Sequence, residues 1–278
     1  MKLFKTTEGI LIESNQECYL LPIQNWDAYI NRHDLHQQIK KDIAGLTPVG
    51  GLEWLQKQTI LPPIESQEIW AAGVTYLRSK VARMEESKES GGDTFYDKVY
   101  DAERPELFFK GTAARAVGDG GYVRIRKDST WDVPEPELTL FITSSGNIAG
   151  YTIGNDMSSR SIEGENPLYL PQAKVYDQCA GLGPCLYVPE RPISPDTKIS
   201  LEIVRNKELV FRGDTLISQM KRSHAELVKF LTRELTFPQG VFLMTGTCIV
   251  PDHPFTLQSG DEIFISIDSI GTLKNTVA

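Results

Sequence analysis

The chain has 278 residues, of which 40% are hydrophobic and 24% charged, and it carries a formal net charge of -8 with a pI near 5.2. This length allows one large domain, or a small and a larger one, with a core that needs no disulfide bonds to fold. The acidic balance argues against nucleic acid as the main partner, because phosphate binding depends on clustered Lys and Arg, and no apolar run approaches the ~20 residues of a membrane helix.

Residues 1–64 are predicted to form a small α+β domain. Alternating patterns in KLFKTTEGILIES and ECYLLPI indicate strands, and NWDAYINRHDLHQQIKKDIAG indicates one helix that stops at Gly45. Two prolines in ILPPIES favour an extended connection, so we place a domain boundary there and assign residues 65–278 to a second, larger domain.

The start of the chain and its cysteines indicate the compartment. Met1 leads directly into strand-like sequence, without the long apolar segment and cleavage site of a signal peptide. The cysteines show no CxxC spacing and are too sparse for a disulfide framework, so free thiols are expected at Cys18, Cys179, Cys185 and Cys248. We therefore expect a cytoplasmic protein.

The segment EIWAAGVTYLRSKVARMEES predicts a strand, a turn at Gly73 and a charged helix over residues 77–90. Because backbone amides at the start of a helix attract anions, Tyr76, Arg78 and Ser79 are candidates for contact with a substrate. The alternative for the helix is a solvated surface helix held by charge pairs. The glycines and charges of KESGGDTFYDKVYDAERP are interpreted as a lid over a ligand, within residues 80–105.

A buried strand is predicted in ELFFKG, with Glu106 and Lys110 at its two ends. A charge at the end of a buried strand is usually solvated at the rim of the sheet, whereas beside a metal ion it can serve as an acid or a base. Both interpretations of these two residues stay open on the sequence.

The stretch WDVPEPELTLFITSSGNIAGYTIGND predicts a β-hairpin that gathers three carboxylates. Glu135 and Glu137 are one residue apart, so the alternation of a strand points them to the same face of the sheet. With a turn centred near Ser145, residues whose numbers sum to about 290 pair across the hairpin, which places Asp156 beside Glu135. Like charges this close repel one another unless a cation lies between them.

The donor chemistry of these carboxylates indicates the kind of ion. An oxygen-only set without His or Cys suits Mg²⁺, with Mn²⁺ and Ca²⁺ as alternatives, rather than zinc. The other interpretation is that Glu135 and Glu137 are solvated strand residues or are hydrogen-bonded to the end of a helix. The hairpin alone leaves both interpretations open.

Two later stretches carry candidate groups. Lys174 lies in LPQAKVYD just before the glycine-rich GLGP, and close packing there would desolvate the amine and make it a usable base. The alternative is a surface lysine whose charged end reaches water. In VFLMTGTCIV, residues 245–247 interrupt a buried strand and offer hydroxyls and amides that can hold a carboxylate.

The rest of the chain is strand-rich. A hairpin is predicted across Asn206 and Lys207, a helix begins with the capping box of Ser223 and Glu226, and a strand and a turn at Gly271 close the chain. Internal repeats, phosphate loops and Rossmann glycine patterns are absent from the sequence.

Five motifs follow one another in the second domain: PEPEL, GYTIGNDMSSR, LPQAKVYD with GLGP, MTGT, and IDSIGTLKN. In order and spacing they resemble the catalytic domain of the fumarylacetoacetate hydrolase family, over residues 65–278. The resemblance implies a strand-rich mixed α+β fold, a β-roll or distorted barrel, and a homodimer, with a tetramer as the alternative. In that family an E-x-E pair and a later Asp hold Mg²⁺ or a similar cation, which implies Glu135, Glu137 and Asp156 as the ligands.

Within the family, the chain departs from the hydrolases. These usually carry a His, with a Glu three residues on, as the pair that activates water, where this chain has Ser79 and Ala82. WAAGVTY, YDKVYDAERPELFFK, STWDVPEPEL and GENPLYLPQAKVYD instead resemble a branch that dehydrates 2-keto-3-deoxy sugar acids in oxidative pentose catabolism. Ser161 stands where the family often has Asp, which weakens any role implied for that position and leaves Asp156 unaffected.

This resemblance implies Mg²⁺-dependent dehydration of a 2-keto-3-deoxy pentonate, a small 2-keto acid, to 2,5-dioxopentanoate. Lys174 is implied as the base at C3, and Glu106 as the group that assists departure of the C4 hydroxyl. Thr247 is implied as the contact of the substrate carboxylate, and Ser79 or Tyr76 as a contact of the hydroxyl tail.

Two alternatives stay open on the sequence. The first is a different reaction at the same metal, acylpyruvate hydrolysis or oxaloacetate decarboxylation, which both proceed through the same metal-held enolate, although Ser79 in place of His argues against hydrolysis. The second alternative is a catalytically silent protein that binds a keto acid and a metal, and the presence of Lys174 together with Glu106 argues against it.

Overall fold

The computed structural model describes residues 1–78 and 98–278, and strands dominate it. The helices whose bounds fall within these residues are α1 (Trp26–Ile30), α2 (Leu35–Ile43), α3 (Leu52–Leu55), α4 (Arg160–Glu165), α5 (Leu170–Lys174) and α6 (His224–Leu231). Across the described part of the chain, every helix is too short or too polar to cross a membrane.

The strands of the described residues, in chain order, are β1 (Lys2–Lys5), β2 (Ile10–Ser14), β3 (Glu17–Leu21), β4 (Gly50–Gly51), β5 (Glu68–Gly73), β6 (Glu106–Thr112), β7 (Ala116–Val117), β8 (Tyr122–Val123), β9 (Asp132–Val133), β10 (Pro136–Ile142), β11 (Ile148–Asp156), β12 (Ser158–Ser159), β13 (Ala180–Tyr187), β14 (Lys198–Arg205), β15 (Glu208–Leu216), β16 (Val241–Met244), β17 (Glu262–Ile267) and β18 (Gly271–Val277). The strand-rich mixed α+β fold expected from the sequence is confirmed.

The largest sheet joins the N-terminal strands to those that carry the acidic hairpin. Its eleven strands include the path β4-β3-β2-β1-β13-β11-β10-β16-β5-β6, and β7 pairs with β13 beside this path. Strand β1 pairs antiparallel with β13, with Lys2 opposite Tyr187. The division of the chain into residues 1–64 and 65–278 stays a prediction, and the two parts share this one sheet.

A second sheet, of five strands in the order β15-β14-β17-β18-β8, packs against the first. It contains the predicted hairpin of β14 and β15, whose turn has Asn206 and Lys207 at positive φ, as a two-residue hairpin turn requires. The predicted turn at Gly271 joins β17 to β18, which pair as a second hairpin. Within the described residues neither sheet closes on itself into a barrel.

Strand β10 lies at the centre of the molecule and is buried along its whole length. Leu138 and Leu140 belong to a core shared with Leu201 and Ile265 of the second sheet. Phe141, which alternation points the other way, belongs to a second core that includes residues of α1 and α2. Packing on both faces fixes β10, and therefore fixes the position of the residues at its end.

The prediction of a single N-terminal helix is wrong, because the structure has two separate helices there, α1 and α2. Asp34 adopts a left-handed conformation with φ of 48° and ends the helical path between them. Asn31 uses its side chain to donate to the carbonyl oxygen of Pro238 at 2.9 Å and to accept from the N–H of Ser144 at 2.7 Å. These contacts with distant residues hold the break in place.

Candidate active site

Three carboxylates meet at the open end of the hairpin formed by β10 and β11. Glu135, Glu137 and Asp156 are 3%, 2% and 1% exposed, and one carboxylate oxygen of each lies within 4.8 Å of the other two. Pro136 pairs with Asn155, so paired numbers sum to 291, one more than expected, and Asp156 falls opposite Glu135. Burial excludes the interpretation of Glu135 and Glu137 as solvated strand residues.

The turn after β16 holds Glu137. The N–H of Gly246 donates to Glu137 Oε2 at 2.6 Å, at a backbone φ of +94° that favours glycine. Thr75 Oγ1 donates to the carbonyl oxygen of Thr245 at 2.7 Å, and a Cβ added at Gly246 would lie 2.1 Å from that same hydroxyl. Burial raises the pKa of Glu137 well above its usual range, and the negative charges of Asp156 and Glu135 raise it further.

Three buried cations contact two of the three carboxylates, Glu135 and Asp156. Lys174 Nζ lies 2.6 Å from Glu135 Oε2 and 3.2 Å from Asp156 Oδ2. The other oxygen of Glu135 accepts from Arg160 at 2.7 Å, and the other oxygen of Asp156 lies 2.5 Å from Lys110 Nζ. Opposite charges in direct contact explain how this many ionic groups can be buried together.

Arg160 has no role in the sequence analysis, and the burial of Lys110 excludes its interpretation as a charge solvated at the rim of the sheet. Arg160 follows the acidic hairpin as the first residue of α4, and Lys110 was expected at the end of β6 but lies inside it, fully buried. A lysine in a run of apolar strand residues is a weak sign of a buried ion pair, because its partner is not visible in the sequence. Lys174 is also fully buried, which excludes its interpretation as a surface lysine.

Glu106 begins β6, as expected, on the side of the sheet near Lys174. It pairs with Gly73 of β5, and a Cβ added at Gly73 would lie 2.1 Å from Glu106 Oε2. Two residues along the strand, on the same face, the ring centre of Phe108 lies 5.7 Å from Lys174 Nζ. Glu106 also borders a cavity of about 560 Å³, whose lining includes Leu107 and Leu168.

Of the three residues expected to contact the substrate, two lie among the described residues and both are buried. Tyr76 is buried, and burial first, then the nearby Cys248 and Glu137, raise the pKa of its phenol, which therefore stays neutral. Thr247 is almost fully buried, one residue beyond the amide that holds Glu137, and its hydroxyl accepts from the N–H of Ile249 at 3.2 Å. Ser79 lies outside the described residues, as do residues 80–97 of the expected lid.

Ser161 supports the loop that precedes the acidic hairpin. Its hydroxyl accepts from the N–H of Thr130 at 3.1 Å and lies 3.0 Å from the hydroxyl of Ser129, which in turn accepts from Ser159. A serine at this position therefore joins the start of α4 to the loop before Trp131, without contacting the carboxylates.

The donor set fits a hard divalent cation. Glu135, Glu137 and Asp156 offer only oxygen, they converge from two paired strands, and their mutual repulsion would be relieved by a cation between them. Histidine and cysteine, the ligands that zinc prefers, are absent from this group. The same three residues follow from the sequence, and their role as ligands stays a prediction.

Comparison with known proteins supplies a chemical context. Residues 68–278 match the family model described as "Fumarylacetoacetate (FAA) hydrolase C-terminal". The chain is 53% identical over 216 residues to the probable 2-keto-3-deoxyxylonate dehydratase of Haloferax volcanii, covering 77% of this chain and 73% of that protein. It is 42% identical over 220 residues to the 2-dehydro-3-deoxy-D-arabinonate dehydratase of Saccharolobus solfataricus, covering 78% and 74%.

A solved structure resembles the whole chain. It is that of a 2-keto-3-deoxy-D-arabinonate dehydratase complexed with magnesium and 2,5-dioxopentanoate, 34% identical in sequence, with a TM-score of 0.83. The match covers 100% of this chain and 98% of that one, so the similarity includes the N-terminal strands and helices.

Proposed function

The chain belongs to the fumarylacetoacetate hydrolase family, and we propose that it is a hydro-lyase that dehydrates a 2-keto-3-deoxy sugar acid, 2-dehydro-3-deoxy-D-arabinonate or a related pentonate, to 2,5-dioxopentanoate. One observation carries the proposal: a buried lysine, Lys174, touches two carboxylates of an oxygen-only triad, Glu135 and Asp156. A metal site with a nitrogen base at its edge is the arrangement needed to remove a proton next to a ketone. The names of the similar dehydratases support the same reaction.

Glu135, Glu137 and Asp156 would hold Mg²⁺, with Mn²⁺ and Ca²⁺ as alternatives. When bound there, the ion would polarise the C2 carbonyl of a 2-keto acid and stabilise negative charge on its oxygen. The magnesium in the similar dehydratase structure supports this choice of ion.

Lys174 and Glu106 divide the proton transfers between them in this proposal. Lys174 takes a proton from C3, and Glu106 gives a proton to the C4 hydroxyl, which leaves as water. The C3–C4 alkene then isomerises as one proton leaves C5 and another returns to C3, and the C5 enol becomes the aldehyde of 2,5-dioxopentanoate. Phe108, between Glu106 and Lys110 on β6, gives Lys174 an apolar neighbour and keeps water from that side of the amine.

The substrate contacts follow from the surroundings of the triad. Thr247, next to the turn that holds Glu137, would bind the substrate carboxylate through its hydroxyl and nearby amides. Tyr76, a neutral phenol at the same end of the sheet, or Ser79 would contact the hydroxyl tail.

Assembly and compartment form part of the same proposal. We place the enzyme in the cytoplasm as a homodimer, with a tetramer as the alternative. All four cysteines are free, as expected, which suits a reducing compartment.

Strand β15 is a nine-residue sheet edge with exposed Leu209, Val210 and Leu216, and such an edge is usually covered. Light scattering on a sizing column measures the assembly.

A product assay tests the reaction. The purified protein with Mg²⁺ receives 2-keto-3-deoxypentonates of both C4 configurations in one set of tubes, and acylpyruvates and oxaloacetate in another. We expect 2,5-dioxopentanoate from the first set and its loss on addition of EDTA. Pyruvate from the second set, with no dioxopentanoate from the first, would instead indicate hydrolysis or decarboxylation at the same site. Failure to turn over any of them while binding metal would indicate a silent binding protein.

A further inference from the structure

Lys110 is a fully buried ammonium that the proposed reaction does not use. Its Nζ lies 2.5 Å from Asp156 Oδ1 and donates to the carbonyl oxygens of Met157 at 2.9 Å and Lys174 at 2.6 Å. Two of the three N–H donors of this ammonium reach backbone carbonyl oxygens, and its charge forms an ion pair with Asp156. The ring centre of Tyr176 lies 5.8 Å from the same nitrogen. Two hydrogen bonds and one ion pair therefore surround this charge.

The pairing of β6 with β5 shifts register at Lys110. Ile69 of β5 pairs with Gly111 and Trp70 pairs with Phe109, which leaves Lys110 as an extra residue without a partner on β5. This is a β-bulge, a feature that re-aims a side chain and is frequent next to active sites. Here it turns the lysine from the sheet towards the end of β11.

The ion pair and the two hydrogen bonds of Lys110 connect three elements of the site. One reaches the side chain of Asp156 at the end of β11, one reaches the backbone of Met157 directly after it, and one reaches the last residue of α5, Lys174. The Asp156 carboxylate lies between two lysines, because its second oxygen is 3.2 Å from Lys174 Nζ. A carboxylate held on both oxygens has one rotational setting, and a backbone held at its carbonyl has one position.

We propose that Lys110 is a positioning residue, which sets the orientation of the Asp156 carboxylate and the backbone position from which Lys174 extends. The inference rests on the proposed function, in which Asp156 is a metal ligand and Lys174 the base at C3. Lys110 acts through these two residues and does not touch the substrate. Charge compensation alone would need a cation near Asp156, whereas positioning needs these donors in these places.

Two substitutions separate position from charge. Lys110→Met removes the charge and the donors at similar length, and Lys110→Arg keeps the charge but moves the donor atoms. Lys40→Met is the matched control, because Lys40 is an exposed lysine in an ion pair with Glu190 at 3.4 Å. Each protein is checked for folding by circular dichroism and loaded with Mn²⁺. Its Mn²⁺ electron paramagnetic resonance spectrum, which reports the arrangement of the ligands, is recorded together with kcat and KM.

We expect both Lys110 variants to change the Mn²⁺ spectrum and to lower kcat by about 100-fold, the usual cost of misplacing a catalytic group by an ångström, with KM within about threefold of the wild type. Lys40→Met keeps the wild-type spectrum and kcat. If Lys110→Met does not fold, Lys110→Arg carries the test, because it retains the buried charge. A folded Lys110→Arg protein with the wild-type spectrum and kcat would overturn the proposal, since it would show that charge suffices.

The outcomes also separate this inference from the proposed function. Absence of 2,5-dioxopentanoate from the wild-type protein removes the proposed reaction, while an altered Mn²⁺ spectrum in both variants still supports positioning of Asp156 by Lys110. Wild-type formation of the product, together with unchanged spectra in folded variants, keeps the reaction and overturns the positioning role.

Discussion

The backbone N–H of Asp156 donates to the carbonyl oxygen of Glu135 at 3.0 Å, so a hydrogen bond at the end of the hairpin joins two members of the acidic triad. The same hairpin that folds the centre of the sheet therefore also assembles the candidate metal site. Strand alternation adds Glu137 from the same side of β10, and burial of β10 on both faces keeps the set rigid.

Replacing one carboxylate of the triad should weaken metal binding without unfolding the chain. Asp156→Asn keeps the shape of the side chain but removes its charge, so we expect the affinity for Mg²⁺ to fall by about 100-fold or more. Titration calorimetry measures this loss. Asp196→Asn, at an exposed position, is the control and should bind Mg²⁺ as the wild type does. Unchanged affinity in Asp156→Asn would contradict the assignment of Asp156 as a ligand.

The local parts of the site could be predicted from the sequence because neighbours along the chain determine them. The turn position alone set the hairpin register to within one residue, and the difference arises at an irregularity between Phe141 and Ile142. The capping box was equally visible, since Ser223 accepts from the N–H of Glu226 three residues on.

The long-range parts could not be predicted in this way. Lys110 is buried because it bonds to Asp156 and to the carbonyl oxygen of Lys174. Both partners belong to elements far along the chain, so the residues near Lys110 in the sequence do not indicate its burial. The break between α1 and α2 similarly depends on bonds from Asn31 to Pro238 and Ser144. A pattern within one element cannot report partners that only the tertiary fold supplies.

Removing the amine of Lys174 should stop the chemistry and leave the metal site. We expect Lys174→Ala to lower kcat by about 10³-fold, within the range of a general base, while it still binds Mg²⁺ and pyruvate because the three carboxylates remain. Kinetics and calorimetry on the same sample measure both properties. Lys229→Ala, an exposed lysine of α6, should keep normal turnover. Near-normal turnover of Lys174→Ala, or loss of its metal binding, would refute the role of Lys174.

A methyl group at Gly73 should displace Glu106 with little effect on folding. The added Cβ would lie 2.1 Å from Glu106 Oε2, the end of a flexible side chain, so the carboxylate must move while the strands stay paired. We expect Gly73→Ala to change the free energy of unfolding by less than about 1 kcal/mol and to lower kcat by about 100-fold.

Two further variants calibrate this result, measured by urea unfolding and steady-state kinetics. Glu106→Gln should reproduce the loss of kcat, because it removes the proposed proton donor in place. Gly51→Ala, where the added Cβ makes only an ordinary contact at 3.5 Å with the carbonyl oxygen of Gln16, should leave kcat unchanged. Wild-type kcat in Gly73→Ala would mean that the position of Glu106 does not matter for turnover.

His224, the first residue of α6, should make the fold less stable as the pH falls. Burial lowers the pKa of the His224 imidazole in the folded chain. In the unfolded chain the same imidazole takes up a proton near its ordinary pKa of about 6.5, so protonation favours the unfolded state. The contribution of His224 to stability is therefore complete above that pH and is lost progressively as the pH drops below it. At pH 5.5 the loss can reach about 1 kcal/mol for one such group.

Urea unfolding at pH 7.5 and 5.5 measures this dependence, and the decisive quantity is the difference between the two free energies of unfolding. In His224→Gln we expect a smaller difference than in the wild type, because the neutral amide does not titrate. His33→Gln, which replaces an exposed imidazole, should keep the wild-type difference. An equal loss of stability in His224→Gln and in the wild type would show that other groups cause the acid sensitivity of this fold.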